Sequence, residues 1–167
     1  MSRYASETTV SSERSQAEIK STLQRYGASK YAFFEEDSRS AIIFELSDRR
    51  LKFELPLPSR TEDEFIFKTR NGELTKNTYP IDQQHKKWEQ ACRQRWRALA
   101  LAIKAKLEAV ESGITDFEEE FLAHILMPDG RTIGEHIVPQ VGQLCSPGAL
   151  APLLPAIGET GKKKHAG

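Results

Sequence analysis

The spacing of hydrophobic and polar residues is most regular over residues 83–112. Apolar side chains recur there at intervals of three and four: Trp88, Cys92, Trp96, Leu99, Ile103, Leu107 and Val110. This is the period of one face of an α-helix. We therefore predict a long amphipathic helix that packs one side against the rest of the protein.

The chain ahead of this helix has the pattern of β-strands. Residues 30–36, 40–46 and 50–57 are rich in aromatic and β-branched residues. In the third segment every second residue is apolar: Leu51, Phe53, Leu55 and Leu57. The polar turns between the segments are too short for parallel crossovers, so they predict an antiparallel meander. Residues 64–68 give a fourth, shorter candidate strand, and residues 70–80 read as a turn and loop.

Three capping-box patterns mark the starts of the other helices. They begin at Ser15, Thr115 and Thr132, each followed three residues later by a glutamate. In such a box the hydroxyl and the glutamate satisfy each other's backbone N–H groups. The boxes predict a helix over about residues 16–26, one that ends near residue 127 and one that runs to about residue 141. Gly27 suits the left-handed residue that ends the first helix.

The order of these elements predicts an α+β fold. An N-terminal helix precedes an antiparallel meander of three to four strands, and the long helix and two short C-terminal helices follow. Grouped strands followed by grouped helices indicate that the long helix packs on the apolar face of the sheet. We expect one domain over residues 15–144, with a flexible tail at residues 1–14 and a flexible tail rich in proline and glycine at residues 145–167.

The composition is that of an ordinary globular protein, and it indicates no particular reaction. Hydrophobic residues make up 38% and charged residues 29% of 167 residues, and the formal net charge is zero. The chain has no run of the ~20 apolar residues that cross a membrane, and residues 1–14 lack the apolar core of a secretion signal. The two cysteines form neither a disulfide framework nor a zinc pattern. We expect a cytoplasmic globular protein without a cofactor or a membrane partner.

Positive charge is concentrated along the long helix. Lys86, Arg93, Arg97 and Lys104 fall on one line of that helix, about a quarter turn from the apolar stripe. Such a line can follow a phosphate backbone, and Arg50 and Lys52 on the meander could extend it. These six residues are the candidate nucleic-acid contacts. The alternative is that they form the solvated flank of the helix, with arginine stems covering the tryptophans.

The acidic and histidine residues near the C-terminus give a weaker hypothesis. Residues 116–120 hold four acids, which the dipole of a helix N-terminus is sufficient to explain. His124 and His136, with Asp129 or Glu135, could form a two-histidine, one-carboxylate metal site. Their spacing matches no metalloenzyme motif, and the chain lacks nucleotide-loop and hydrolase motifs. A metal-dependent nuclease is therefore a minor alternative, and we expect a non-enzymatic protein.

Several segments of the chain resemble one family of small proteins. Residues 93–113 (RQRWRALALAIKAKLEAVESG) and 114–125 (ITDFEEEFLAHI) carry the resemblance, together with SQAEIKSTLQRYGA and RLKFELPLP nearer the N-terminus. The family is encoded by bacteriophages and prophages and is mostly uncharacterised. The resemblance implies a role common among small phage genes, namely nucleic-acid processing or interference with host proteins, and it implies no catalytic residues.

Two functional hypotheses follow from the sequence. The first is a nucleic-acid-binding accessory protein, for example for single-stranded DNA in phage replication or recombination. The alternative is a protein-interaction module that binds or inhibits a host protein. It would use the acidic turn at residues 118–120 or an exposed edge of the meander, which can accept a strand from a partner. Self-association is compatible with either hypothesis.

Overall fold

The computed structural model describes residues 8–36 and 38–144. Residues 1–7 of the predicted N-terminal tail and the whole predicted tail at residues 145–167 lie outside the described residues. The elements are, in chain order, α1 (Ser12–Arg25), β1 (Lys30–Glu36), β2 (Arg39–Leu46), β3 (Arg49–Pro56), α2 (Asp63–Ile66), β4 (Phe67–Arg70), β5 (Glu73–Thr78), α3 (Ile81–Glu111), α4 (Phe117–Phe121), a short 3-10 turn (Leu122–His124) and α5 (Ile133–Leu144). This arrangement confirms the α+β prediction.

The meander is antiparallel, with the order β1-β2-β3. Its register places Phe33 opposite Ile42, and Ile42 opposite Phe53, so that alternate side chains of all three strands share one inner face. The turn between β2 and β3 uses Ser47 and Asp48 at positive φ (50° and 59°), the conformation that matches the twist of a tight hairpin. The predicted strand pattern is thus confirmed for the three long strands.

Two helices cover the inner face of the meander. The long helix α3 has 31 residues and spans about 46 Å. Its apolar stripe packs on the sheet, and α1 packs beside it through Ile19 and Leu23. The core residues are Ile19, Leu23, Ile42, Phe44, Leu51, Phe53, Leu55, Trp96, Leu99, Ala100, Ile103, Leu107 and Phe121. The long helix therefore has one flank against α1 and one face against the sheet.

The N-terminal helix begins earlier than predicted. Ser11 is its N-cap and accepts a hydrogen bond from the Arg14 backbone N–H at 3.2 Å, so residues 12–14 belong to the helix and not to the tail. Ser15, the predicted cap, is buried within the helix. The Ser15 N–H donates to the Ser11 carbonyl at 3.0 Å, as an interior helical residue does. Gly27 has φ 84°, which confirms the predicted left-handed helix end.

The fourth-strand prediction was only partly correct. Residues 63–66 form a single helical turn that buries Phe65, and the strand begins at Phe67. It pairs with β5, which occupies most of the predicted loop, in a separate two-stranded sheet. The hairpin turns at Asn71 and Gly72, both at positive φ. Most of its side chains are exposed, so it lacks the apolar alternation from which a strand can be predicted.

Of the two capping boxes predicted for the C-terminal helices, the structure forms one. At α5 the box is complete: Thr132 N–H donates to Glu135 Oε2 at 2.6 Å, and Glu135 N–H donates to Thr132 Oγ1 at 3.1 Å. At α4 the N-cap is Asp116 without a side-chain cap, and Thr115 Oγ1 instead contacts Glu119 Oε2 at 3.3 Å. The helix predicted to end near residue 127 stops at Phe121 and continues as the 3-10 turn.

Within the part of the chain that the structure describes, no helix combines the length and the apolar character that crossing a membrane requires.

Candidate binding cleft

The structure places the four predicted cations of α3 in different environments. The guanidinium of Arg97 forms an ion pair with Glu18 of α1, because α1 packs against this flank of α3. Arg93 is partly buried, and its Nε donates to Gln90 Oε1 at 3.1 Å. Lys86 and Lys104 are exposed, but 18 helical residues, or about 27 Å, separate them. The line of four cations is therefore covered by α1 in its middle, at Arg97, and exposed at its two ends, Lys86 and Lys104.

The two predicted cations of the meander lie on its other face. Arg50 and Lys52 alternate with buried Leu51, so they project away from α3. Arg50 Nη2 lies 2.7 Å from Glu45 Oε1, and Lys52 Nζ lies 2.5 Å from Glu54 Oε1. Lys52 also lies 3.9 Å from Glu135. The structure thus does not bring the six residues into one continuous track, and three of them already have carboxylate partners.

The acidic and histidine residues of the C-terminal region also have partners within the chain. Glu118 lies 3.5 Å from Arg49, and Glu120 lies 2.8 Å from Lys106 Nζ. His124 stacks on Phe53 with ring centroids 3.9 Å apart, and burial lowers the pKa of its imidazole.

His136 Nε2 lies 2.8 Å from Asp129 Oδ2 on the turn before α5. Among residues 8–36 and 38–144 the structure assembles no group of three His, Cys, Asp or Glu side chains that could hold a metal ion. The arrangement therefore gives no support to the predicted two-histidine site.

A cleft of about 770 Å³ lies where the N-terminal turns of α1, the middle of α3 and the β1–β2 connection meet. The segment that follows β3 closes its remaining side. The residues around it are Ser12, Glu13, Gln16, Glu35, Glu36, Ser38, Ser40, Leu57, Ser59, Arg60, Trp88, Cys92 and Trp96. The size is that of a site for a small molecule or for one or two protein side chains.

Two aromatic side chains line the α3 side of this cleft, and they are the only two tryptophans of the chain. Trp88 is held at its edge, because its Nε1–H donates to the Pro58 carbonyl at 2.8 Å. The guanidinium carbon of Arg60 lies 4.0 Å from the Trp88 ring. Trp96 is buried and packs on Phe33 with ring centroids 6.1 Å apart. The face of Trp88 is thus already used as a platform for a cation.

Carboxylates outnumber cations around the cleft. Glu13, Glu35 and Glu36 line it, whereas Arg60 is the one positively charged residue of its lining among the residues that the structure describes. Glu35 Oε1 accepts from Gln16 Nε2 at 2.7 Å, which fixes α1 to the end of β1.

Two of these carboxyl groups titrate below their usual range. The pKa of Glu13 is lowered by its own backbone amide, by the Ser11 hydroxyl and by the charge of Arg93. The Arg39 guanidinium, 2.7 Å away, lowers the pKa of Glu36. Both carboxylates are charged at neutral pH, and Glu36 already has Arg39 as its partner.

The inner part of the cleft holds a hydroxyl and a thiol. Ser40 is 2% exposed, and its Oγ has no hydrogen-bond partner among the described residues. An unsatisfied buried hydroxyl costs about 1–3 kcal/mol, which a ligand that supplies a hydrogen bond would recover. Burial raises the pKa of the Cys92 thiol, so it stays protonated and weakly nucleophilic at neutral pH. The cleft therefore has groups suited to binding a ligand, namely an aromatic face, carboxylates that accept hydrogen bonds and one hydroxyl without a partner among the described residues.

Sequence reasoning missed most of this cleft. It assigned Glu13 to the tail, and it did not single out Glu35, Ser40 or Arg60. The available signal was that Trp88 lies one turn beyond Cys92, toward the N-terminal end of the apolar stripe. In the structure Trp88 contacts the segment after β3, at Pro58 and Arg60.

No protein-family model, no curated protein and no solved structure matches this chain. The resemblance to phage-encoded proteins therefore stays a prediction.

Proposed function

We propose that this protein is a non-enzymatic protein-binding module whose cleft takes a positively charged side chain, arginine or lysine, of a partner protein. The observation that carries the proposal is the position of Arg60 over the ring of Trp88 at 4.0 Å, in a cleft with three carboxylates. The contact of Arg60 with the Trp88 ring supports a cleft whose aromatic face can hold a guanidinium.

Arg60 itself does not prevent such binding. It is exposed, and within the described residues no carboxylate forms an ion pair with it. A cation–π contact at an exposed site contributes about 0.5–1 kcal/mol, so a partner arginine that also reaches Glu13 and Glu35 can displace it. The unused Ser40 hydroxyl then provides a further contact at the inner end of the cleft.

The biological setting of this proposal comes from the resemblance stated above. Small phage proteins commonly bind proteins of their bacterial host, so we propose a host protein with an exposed basic segment as the partner, met in the host cytoplasm. This is the alternative that the sequence raised. It becomes the leading one because α1 covers the middle of the predicted cationic line.

The experiment is a fluorescence titration of the full chain. Because both tryptophans line the cleft, their emission reports directly on its occupancy. Short blocked peptides with a central arginine, or with a central citrulline of nearly the same shape but no charge, provide a matched pair. We expect the arginine peptide to change the emission in a saturable way that weakens with added salt, and the citrulline peptide to bind at least tenfold more weakly. Equal responses to the two peptides would contradict the proposal.

Nucleic-acid binding is a second candidate, which a different surface favours. Lys68 and Lys76 on the β4–β5 hairpin and Lys86 on α3 form no ion pair with any described carboxylate, and all three are exposed. Binding there would weaken steeply with salt for every oligonucleotide sequence. The joint change of Lys68 and Lys76 to alanine should reduce that salt dependence, whereas Arg93→Ala with Arg97→Ala should not. The opposite result would restore the cationic line of α3 as the contact surface.

A further inference from the structure

The meander has one covered edge and one open edge. On the β3 side, Leu51 bridges to Ile125 and the Leu126 N–H donates to the Arg50 carbonyl at 2.8 Å, so residues 125–126 cap that strand. On the β1 side, no described residue pairs with the backbone beyond the ladder to β2. β1 therefore presents free N–H and C=O groups along its outer edge.

The residues of β1 are suited to pairing. Its seven residues, KYAFFEE, hold a centre of aromatic and small side chains between a lysine at one end and two glutamates at the other. Phe34 is 53% exposed on the outer face of the sheet. Natural edge strands are usually protected by inward-pointing charges, bulges or proline, and the centre of β1 carries none of these.

We propose that β1 pairs antiparallel with β1 of a second copy of this chain, about a two-fold axis through Phe33. In this register Lys30 of each copy lies opposite Glu36 of the other, and Ala32 lies opposite Phe34. The two meanders then join into one six-stranded sheet. Because the axis repeats every contact, two pairs of unlike charge flank a central apolar group.

Charge complementarity selects both the occupant and the register. Opposed residues must project from the same face, so the strands can shift only in steps that keep this alternation. The next register in one direction places Lys30 opposite Phe34, and in the other opposite Ser38. Only the register centred on Phe33 pairs all seven residues and sets both lysines against glutamates.

The charged ends of β1 remain accessible within one copy. Lys30 contacts Glu45 at 3.0 Å and Glu36 contacts Arg39 at 2.7 Å, but their side chains are 77% and 63% exposed. Each can therefore reach across the edge without breaking a buried contact. Formation of this dimer requires no ligand in the cleft, although Glu36 also lines that cleft.

The test is analytical ultracentrifugation of the full chain with a charge-swap cycle. We expect the wild type to show a concentration-dependent equilibrium between one and two copies. Lys30→Glu and Glu36→Lys should each weaken association at least tenfold, because each sets like charges opposite one another. The double variant restores unlike pairs and should recover most of the association. The swap of Lys68→Glu with Glu73→Lys on the hairpin is the control and should change nothing.

Three results would overturn this proposal. They are a wild type that stays monomeric at several hundred micromolar, single swaps that leave the dimer intact, or a double swap that associates no better than the singles. Tyr31→Pro gives an independent check, because the antiparallel register turns the Tyr31 N–H toward the open edge, whereas the Ala32 N–H lies in the ladder to β2. Circular dichroism identifies a folded variant, and a folded Tyr31→Pro protein that still dimerises as the wild type does would also contradict it.

Discussion

The indole N–H of Trp88 donates to the carbonyl of Pro58 at 2.8 Å, across 30 residues of sequence. This bond ties the segment after β3 to α3 and turns one face of the indole ring toward Arg60. It thereby closes one side of the cleft and sets the ring orientation on which cation binding depends. The cleft is thus part of the tertiary structure, held at one side by Trp88 and at another by the contact of Gln16 with Glu35.

Removal of the indole donor should loosen this side of the cleft. Trp88→Phe keeps an aromatic ring but loses the hydrogen bond, so we expect the free energy of unfolding to fall by about 1 kcal/mol. Urea denaturation measures the change. Leu74→Ala, an exposed hairpin position, is the control and should stay within about 0.5 kcal/mol of the wild type. A Trp88→Phe protein as stable as this control would contradict the stabilising role of the hydrogen bond between Trp88 and Pro58.

Arg60→Ala should strengthen the binding of an arginine peptide. The substitution removes the side chain that occupies the Trp88 face, and an exposed cation–π contact of about 0.5–1 kcal/mol corresponds to a gain of roughly two- to fivefold in affinity. Fluorescence titration gives both affinities. Weaker binding by Arg60→Ala would mean that Arg60 contacts the ligand itself and that the cleft does not use this face for a partner cation.

Ser40→Ala should change stability and binding in opposite directions. The hydroxyl makes no hydrogen bond among the described residues, so its removal should leave the free energy of unfolding unchanged or raise it by up to about 1 kcal/mol. Affinity for the arginine peptide should fall, because this hydroxyl is proposed to contact the ligand at the inner end of the cleft. Thermal and urea unfolding, together with the titration, separate the two effects. A loss of stability on Ser40→Ala would refute this account of the residue.

The capping box at α5 offers a matched comparison with the incomplete one at α4. Thr132→Ala removes a hydroxyl that accepts from the Glu135 N–H, and we expect a loss of about 1 kcal/mol. Thr115→Ala removes a hydroxyl that caps no backbone N–H, so its effect should be within about 0.5 kcal/mol. Equal losses in the two variants would contradict the difference between these helix starts.

Burial of His124 makes stability depend on pH in a defined range. Its environment lowers the pKa, first through burial and then through the charge of Lys106, so the folded state favours the neutral ring. The contribution is complete above the ordinary histidine pKa of 6.5 and is lost as the pH falls toward the lowered value. The carboxyl groups with lowered pKa, such as that of Glu45, act only below their ordinary value of 4.5. Urea denaturation at pH 7.5 and pH 5.5 should therefore show a loss in the wild type that is smaller in His124→Gln.

Local pattern was sufficient for much of the fold. The period of the apolar stripe predicted α3 within two residues at its start, and the alternation of Leu51, Phe53 and Leu55 predicted β3. The hairpin of β4 and β5 was predicted only in part, because an exposed two-stranded ribbon has no apolar face to repeat. The sequence indicated the start of β4 and a turn within residues 70–80, but not the strand β5.

The candidate site was harder to predict because it depends on contacts between distant segments. Glu18 and Arg97 are 79 residues apart, and no local pattern indicates that α1 would cover the cationic flank of α3. Arg60 and Trp88 likewise meet only after the chain returns from the sheet. Sequence periodicity finds which face of a helix is charged, but the partner of each charge is set by tertiary packing.

The most direct measurement of the central claim is the affinity of the arginine peptide for Glu35→Gln, by isothermal titration calorimetry. Glutamine keeps the shape and the oxygen that accepts from Gln16, and removes only the charge. Glu73→Gln on the exposed hairpin is the matched control. If a partner's cation binds in the cleft, Glu35→Gln should weaken binding about tenfold, the effect of one charge-assisted hydrogen bond, while Glu73→Gln leaves it unchanged. Equal affinities for the wild type and both variants would show that the cation does not bind there.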